Sequence, residues 1–345
     1  MAKHGFVDLG FTREKVPAGT HTCYFYRDPI LKNRLILRYL AAGIRNGEKV
    51  VCLIDSQTKE EIVDWFRTEK IDTGGYDPKR SLFVGKTKDI YYPHGYFDPE
   101  EMIERWRQFA AEAIAEGYKL LRVTGEINWL FKGIPGAEKF IEYETMINEC
   151  LKGYPITVLC QFDTNQILGT YLMDLLNAHP ILIANGQIIY NPFYSTPEEE
   201  QFRSFPFIRR RSGRTTQFER ISTILLAVTG ILETLPTTRR KAEFTEGFFK
   251  TVFQLNDYYL YLNDDTTDKN RMLMNASHDQ RSDVARYEIR TADNCFGYLL
   301  LPQKWLKANP RYQALIFNYL NLLALSLENS KQRECLQTIN AELKA

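Results

Sequence analysis

The chain is poorest in glycine where a nucleotide hydrolase is richest in it. Between Tyr26 and Leu35, in the turn joining an apolar strand at His21–Tyr26 to a helix over Leu31–Leu40, there is none. A phosphate loop needs glycines so that successive backbone N–H groups close around the phosphates, together with a lysine opening the helix. The sequence therefore has no phosphate loop, and it names no other cofactor. Six cysteines, Cys23, Cys52, Cys150, Cys160, Cys295 and Cys335, include no C-x-x-C pair. That spacing argues against a disulfide framework and a zinc knuckle and fits a reducing cytoplasm. Charge of either sign is also missing in excess, with Lys+Arg 44 against Asp+Glu 43 and a net +1. Such a balance gives no field for gathering nucleic acid or an anionic membrane. No apolar run approaches the ~20 residues of a membrane span, and Met1–Gly5 does not lead into the apolar core of a signal peptide. The expectation is a cytoplasmic protein.

What is present, over 345 residues, is enough for two domains with separate cores. Short apolar runs at Val50–Ile54, Ser81–Val84, Leu120–Thr124 and Ile156–Phe162 alternate with amphipathic stretches at Thr58–Lys70, Pro99–Glu116 and Gly136–Lys152. Asp98 and Pro99 read as N-cap and N1 of the second of these helices. Strands separated by helices of this length force parallel pairing with right-handed crossovers, hence a three-layer α/β sandwich with a mainly parallel sheet. A helix over Leu168–Ala178 and a hairpin turning at Asn185–Gly186 give that sheet an antiparallel edge.

A composition shift marks the boundary. Pro192–Gly213 carries three prolines, Glu198–Glu200 and Arg209–Arg211, which reads as a solvated linker. The expected domains are residues 15–195, a linker at 196–215, a smaller α+β domain at 216–330 and the end of a long helix at 331–345. In the second domain Thr216–Leu235 and Ala242–Leu255 read as helices. Tyr258–Leu262, Arg271–Asn275, Ala285–Arg290 and Cys295–Leu301 read as antiparallel strands. Tyr312–Leu343 reads as one long helix whose stripe Leu315, Tyr319, Leu322, Leu323, Leu327, Leu336, Ile339 and Leu343 has a roughly heptad rhythm, as for pairing with a second copy. An output module following in a longer gene, or a separate signalling partner, is expected beyond it.

Several residue types suit chemistry. His21 and Cys23 lie two apart, so on a strand they share a face. They are candidates for a soft metal, for a reactive or ligand-contacting pair, or for plain core and capping roles. A metal there would need distant ligands such as Cys160, Asp163 or His179. Glu126 follows the strand Leu120–Thr124 at the carboxyl edge, where open α/β sheets place ligands. With Arg122 and Trp129 it could line a small polar pocket with an aromatic wall, or serve as a solvated cap. Asp163 suits an N-cap, and His179 before Pro180 suits the start of an edge strand. Gly85-Lys86-Thr87 ends like a phosphate loop, but Arg80 stands where its first glycine would be. Tyr91–Phe97 reads as an aromatic cover, and Tyr258–Leu262 as ordinary β packing.

Taken together, His21-x-Cys-x-Phe-Tyr26, Ala41-Ala-Gly-Ile-Arg-Asn-Gly-Glu-Lys-Val50, Leu121-Arg-Val-Thr-Gly-Glu-Ile-Asn-Trp129, Leu159-Cys-Gln-Phe-Asp163 and His179-Pro180 resemble the MEDS family of methanogen and methylotroph sensory domains, over residues 15 to 195. The resemblance implies a RecA-like or KaiC-like core that has lost catalysis and senses simple hydrocarbon derivatives. The second half resembles a GAF domain through Gly297-Tyr-Leu-Leu-Leu301 and a helix ending Ala324-Leu-Ser-Leu-Glu-Asn329, shortened relative to a full domain. The resulting expectation is a non-catalytic sensor. A small organic ligand would lie among His21, Cys23, Tyr26, Arg122, Glu126, Trp129, Cys160 and Asp163, with relay through a homodimer to a signalling partner. A nucleotide-binding ATPase remnant and a ligand-free scaffold or partner-switching regulator are the alternatives.

Overall fold

The computed structural model describes residues 5–55, 57–75, 77–167, 169–184, 186–191, 193–194, 217–263, 272–274 and 283–343. The expected linker at 196–215, Asn185 of the hairpin turn, and Arg271 and Asn275 lie outside these residues. Two compact units divide the chain, residues 1–167 with 174–200 and residues 168–173 with 201–345.

The first unit opens with a short antiparallel hairpin, β1 (Phe6–Asp8) and β2 (Lys15–Pro17), which the sequence pattern did not suggest. In chain order there follow β3 (His21–Tyr26), α1 (Pro29–Arg45), β4 (Lys49–Leu53), α2 (Lys59–Thr68), α3 (Pro78–Ser81), β5 (Leu82–Gly85) and α4 (Thr87–Tyr91). The unit continues with α5 (Pro99–Ala115), β6 (Leu121–Glu126), α6 (Phe140–Gly153), β7 (Ile156–Asp163), α7 (Gly169–Ala178), β8 (Ile181–Ala184) and β9 (Gln187–Tyr190). The sheet runs β5-β4-β6-β7-β3-β8-β9. Every neighbouring pair is parallel except β8 with β9, so the expected antiparallel edge is present.

Strands β3, β6 and β7 are buried at every position. That explains their continuous apolar character, because helices cover both faces of a central parallel strand. Alternation assigns the faces. Tyr24 and Tyr26 of β3, Val50 and Cys52 of β4 and Leu159 of β7 pack in one core cluster with Leu35, Ile36, Tyr39, Leu40 and Ile44 of α1. On the opposite face Phe25 meets Phe162 at 5.5 Å, and Trp106 of α5 donates to the Tyr143 hydroxyl of α6 at 2.8 Å. The predicted helix over Gly136–Lys152 splits into a 3-10 turn at Ala137–Lys139 and α6. Gly136 precedes it in the left-handed region at φ 86, where a side chain would run into the Phe97 carbonyl.

The second unit holds α8 (Gln217–Thr234), α9 (Thr238–Phe253), β10 (Tyr259–Leu262), β11 (Met272–Met274), β12 (Val284–Arg290), β13 (Cys295–Pro302), α10 (Gln303–Ala308) and α11 (Gln313–Glu342). Its sheet, β11-β10-β13-β12, is antiparallel throughout. Phe244, Phe248, Phe249, Phe253 and Tyr319 fill its core, with Phe248 stacked on Tyr319 at 4.6 Å. Buried Lys241 of α9 donates to the Ser326 carbonyl at 2.7 Å and to the Ser326 and Ser330 hydroxyls at 2.6 and 2.8 Å. Leu315, Tyr319, Leu323 and Leu327 of α11 are buried, whereas every residue from Lys331 to Leu343 is exposed. Among the described residues, no helix is long and apolar enough to cross a membrane.

Candidate functional site

The residues singled out in the sequence do not converge on one pocket. They separate into two polar centres on opposite faces of the parallel sheet, plus two structural anchors. The division follows from strand parity: His21 and Cys23 point one way, Tyr26 and Glu126 the other.

The first centre lies at the carboxyl edge, on the α1 face. Asp28 caps α1, its carboxylate accepting from Ile30 N at 2.7 Å and Leu31 N at 3.3 Å, with Pro29 in the first turn. A helix N-terminus that would attract phosphate is thus already occupied by the chain's own anion, and proline has removed one donor. Counting from Tyr26 at phosphate-loop spacing puts Tyr26 and Leu31 where the loop needs glycines, and Lys32 where it needs its lysine. Lys32 was not singled out from the sequence, although that spacing was available as a signal. Its ammonium is buried and bonded to Glu126 Oε1 at 2.7 Å, while Glu126 Oε2 accepts from Asp55 N at 3.2 Å. Lys32 also lies 5.5 Å from the Tyr26 ring centroid, and Asn128 Nδ2 reaches the Tyr26 hydroxyl at 3.4 Å. Burial, the first cause, raises the Tyr26 phenol well above its usual range. Glu126 is the last residue of β6 and buried, which corrects the expectation of a solvated cap beyond the strand. Asp163 is the turn-former anticipated for it, accepting from Asn165 N at 2.9 Å and Gln166 Nε2 at 3.0 Å.

Gly85-Lys86-Thr87 does form a strand-to-helix turn, and its anion is again internal. Thr87 N and Oγ1 donate to Asp55 Oδ1 at 2.9 and 2.8 Å, and Lys86 Nζ donates to the Asp55 carbonyl at 2.7 Å.

Arg122 and Trp129 do not join Glu126. Four residues of strand separate Arg122 from Glu126, about 13 Å. Arg122 is fully buried, pairing with Glu48 Oε2 at 2.5 Å and Oε1 at 3.1 Å and donating to the carbonyls of Tyr39 and Asp8 at 3.0 and 2.9 Å. Its guanidinium also stacks 4.6 Å from the Tyr39 ring. This is a structural bolt between β6, α1 and the N-terminal hairpin. Trp129 is enclosed by Tyr91, Tyr92, Phe97 and Phe140 at 5.0–5.6 Å. The aromatic segment Tyr91–Phe97 therefore covers a core, as its composition suggested.

The second centre is on the α6 face, near the amino end of β3. His21 Nε2 lies 3.2 Å from Glu144 Oε2 and 3.3 Å from Cys160 Sγ, and His179 Nε2 lies 2.9 Å from the same Glu144 oxygen. Cys160 Sγ to Glu144 Oε2 is 3.9 Å, and the two imidazole rings are 4.0 Å apart. His21, Glu144, Cys160 and His179 are all buried, and one ligand atom from each lies within 4.8 Å of the others. His21 thus pairs with Cys160 rather than with Cys23, whose thiol faces the Ile181 carbonyl at 3.6 Å. Burial, then Glu144, pushes both the Cys23 and Cys160 thiols well above their usual pKa, which favours the core role over the reactive pair among the alternatives for Cys23. Burial and then His179 lower His21 to about 4, although Glu144 pulls the other way. For Glu144, burial raises the pKa, but His179 and His21 outweigh it and hold the carboxyl at about 2. His179 precedes β8 and is buried in this cluster; the sequence offered it both as the start of an edge strand and as a distant partner for a metal at His21. Glu144 was missed. It lies in the middle of an amphipathic helix, and only its complete burial distinguishes it from the exposed glutamates Glu142 and Glu149 nearby.

The first unit is thus a doubly covered, mainly parallel α/β sheet. Residues 20–180 match the family model described as MEDS, the methanogen/methylotroph, DcmR sensory domain. A transcriptional repressor, DcmR, from Methylorubrum extorquens is 23% identical over 162 residues, covering 46% of this chain and 57% of that protein. The chain thus spans little more than half the length of that relative. Among solved structures, a KaiC-like protein from Pyrococcus horikoshii is similar at 12% identity and TM-score 0.36, covering 52% of this chain and 78% of that one.

Proposed function

We propose that the protein is a cytoplasmic, non-catalytic signal-transduction sensor or regulator whose first unit is a RecA-like core that no longer handles nucleotide. The observation that carries this reading is the Lys32–Glu126 pair. The lysine at the phosphate-binding spacing is buried against an internal carboxylate at 2.7 Å, beneath a helix start capped by Asp28. A phosphate would have to displace the Asp28 carboxylate from the exposed helix start and, beneath it, the buried Glu126 carboxylate from Lys32, where little water could compensate the separated charges. The sensory description of the matched family and the regulatory name of the relative support the same direction.

In this reading a small organic ligand, of the simple hydrocarbon-derivative class, binds at the carboxyl edge beside Tyr26, Asn128 and Asp163. The second unit, a shortened GAF-like module, passes the change to a partner through a homodimer of α11. Exposed Leu336, Ile339 and Leu343 supply the apolar side chains for that pairing. A ligand need favour one packing of the helices by only a few kcal/mol to move the output.

The test is calorimetric titration of the purified chain with magnesium-ATP at millimolar concentration, beside thermal-shift titrations with simple alcohols, amines and haloalkanes. Absence of saturable ATP heat together with a saturable shift from one of the organic probes is the expected result. Saturable ATP binding that Glu126→Gln abolishes would overturn it in favour of a working nucleotide site.

A further inference from the structure

We infer that His21, Glu144, Cys160 and His179 form a closed, four-coordinate site for a divalent transition metal, with Zn²⁺ the ion whose preferences the donor set fits. The site lies on the opposite face of the sheet from the carboxyl-edge centre and stands independently of any ligand bound there.

The first argument is the tautomer of His179. Its Nδ1 lies 2.6 Å from the Leu175 carbonyl, which can only accept, so Nδ1 carries a proton. In the neutral imidazole, Nε2 then presents a lone pair. That lone pair is 2.9 Å from Glu144 Oε2, and His179 Nε2 has no hydrogen-bond partner. An imidazole lone pair and a carboxylate oxygen repel at such a distance unless a cation, either a proton on Nε2 or a metal ion, sits between them. An Nδ1–H held by a backbone carbonyl is also the outer support that metal-ligating histidines usually have.

Distance supplies the second argument. Ligand bonds of about 2.0–2.3 Å set donor-to-donor separations of about 3.3–3.8 Å around a tetrahedral ion. Four of the six separations, 2.9, 3.2, 3.3 and 3.9 Å, lie close to that range, and all six are within 4.8 Å. Two imidazoles, a thiolate and a carboxylate combine borderline, soft and hard donors, all of which zinc accepts, and with four protein ligands no position is left open for substrate.

The third concerns satisfaction. Glu144 Oε1 is buried with no hydrogen-bond partner, beside the Oε2 that both histidines approach, a costly state for a buried carboxylate. An ion bound at Oε2 balances the charge of the carboxylate as a whole, and one that leans toward Oε1 satisfies that oxygen too. The ligands come from β3, α6, β7 and the residue ahead of β8, so the ion would pin these four segments together.

The experiment uses the full chain. Metal content is measured by mass spectrometry after gel filtration. The protein is then stripped with chelator and mixed with one equivalent of Co²⁺ as the spectroscopic probe. The expected result is one ion per chain and a sulfur-to-cobalt charge-transfer band that Cys160→Ser loses and Cys23→Ser keeps. Glu144→Gln and His179→Ala should weaken binding by more than the roughly 10–100-fold typical of losing an outer-shell partner. Should Cys160→Ser fail to fold, X-ray absorption on the zinc-loaded wild type decides, with one sulfur at about 2.3 Å and nitrogen or oxygen at about 2.0–2.1 Å expected. A folded wild type that takes up no ion, a sulfur-free shell, or a band that survives Cys160→Ser would overturn the assignment. So would nitrogen NMR showing His179 doubly protonated in ion-treated protein, which would make the bridging cation a proton.

Discussion

Replacing Lys32 by methionine keeps the length of the side chain and removes its charge, leaving Glu126 buried with one of its two partners. Because both groups are less than a tenth exposed, solvent screening offers little relief. Breaking a buried pair from one side costs about 3–5 kcal/mol, mostly through the charge left behind. Glu126→Gln should cost somewhat less, about 2–3 kcal/mol, since its amide oxygen can still accept from Asp55 N. The double variant has no orphaned charge, so its cost should fall short of the sum of the singles by at least about 2 kcal/mol, a coupling of the size seen for contacting pairs. Urea unfolding followed by tryptophan fluorescence in a Trp305→Phe background measures this, because Trp65, Trp106 and Trp129 all belong to the first unit. Additive single effects, or singles below about 1 kcal/mol, would refute the account. The pair would then be solvated in solution, and the lysine would be free to meet a phosphate.

Other consequences are equally open to measurement. Gly136→Ala should lower the thermal midpoint much more than Gly95→Ala: both glycines have positive φ, but only at Gly136 would the new Cβ meet backbone, 2.0 Å from the Phe97 carbonyl. Arg122→Lys should recover only part of what Arg122→Ala loses in stability, because lysine cannot reproduce the two-pronged grip on Glu48 together with the bonds to Tyr39 and Asp8. Leu336→Lys with Ile339→Lys should shift sedimentation from dimer to monomer without changing the circular dichroism, since both side chains are exposed within the chain. A monomeric wild type would remove the helical relay.

The architecture of the first unit was legible because its signals are local: continuous apolar strands, and caps such as Asp98 with Pro99 that the structure bears out. The helix α11 was legible for the same reason, and Leu315, Tyr319, Leu323 and Leu327 of its stripe are buried within the unit while Leu336, Ile339 and Leu343 are exposed. Site membership was less so. Cys160 and His179 could be named as distant partners of His21, but nothing in the spacing tells that β7 lies beside β3 with Cys160 opposite Cys23. Glu144 needs the packing of α6 to distinguish it from a solvated glutamate. Arg122 and Glu126 were grouped because they are near in sequence, yet strand rise alone keeps them about 13 Å apart. Lys32 is the instructive omission. The missing glycines drew attention away from a lysine that stands at phosphate-loop spacing from Tyr26.

The two centres, though on opposite faces, are built on the same central strands. Cys160 and Gln161 are consecutive on β7. Gln161 Nε2 donates to Thr124 Oγ1 at 2.9 Å, two residues from Glu126 on β6, and β3 carries His21 at one end and Tyr26 at the other. Sheets are stiff along their strands, so an ion held by His21, Glu144, Cys160 and His179 would fix the frame on which the carboxyl-edge centre is mounted. Chelation should therefore raise amide hydrogen exchange in β3, β7 and β8, which the ligands join, while β4 and β5 keep their protection. Those two strands are packed by α1 and α2 on the other face and contribute no ligand. Uniform loss of protection across all seven strands would mean that the ion supports the unit as a whole. Unchanged exchange in β3 and β7 would mean that the four side chains are satisfied without it.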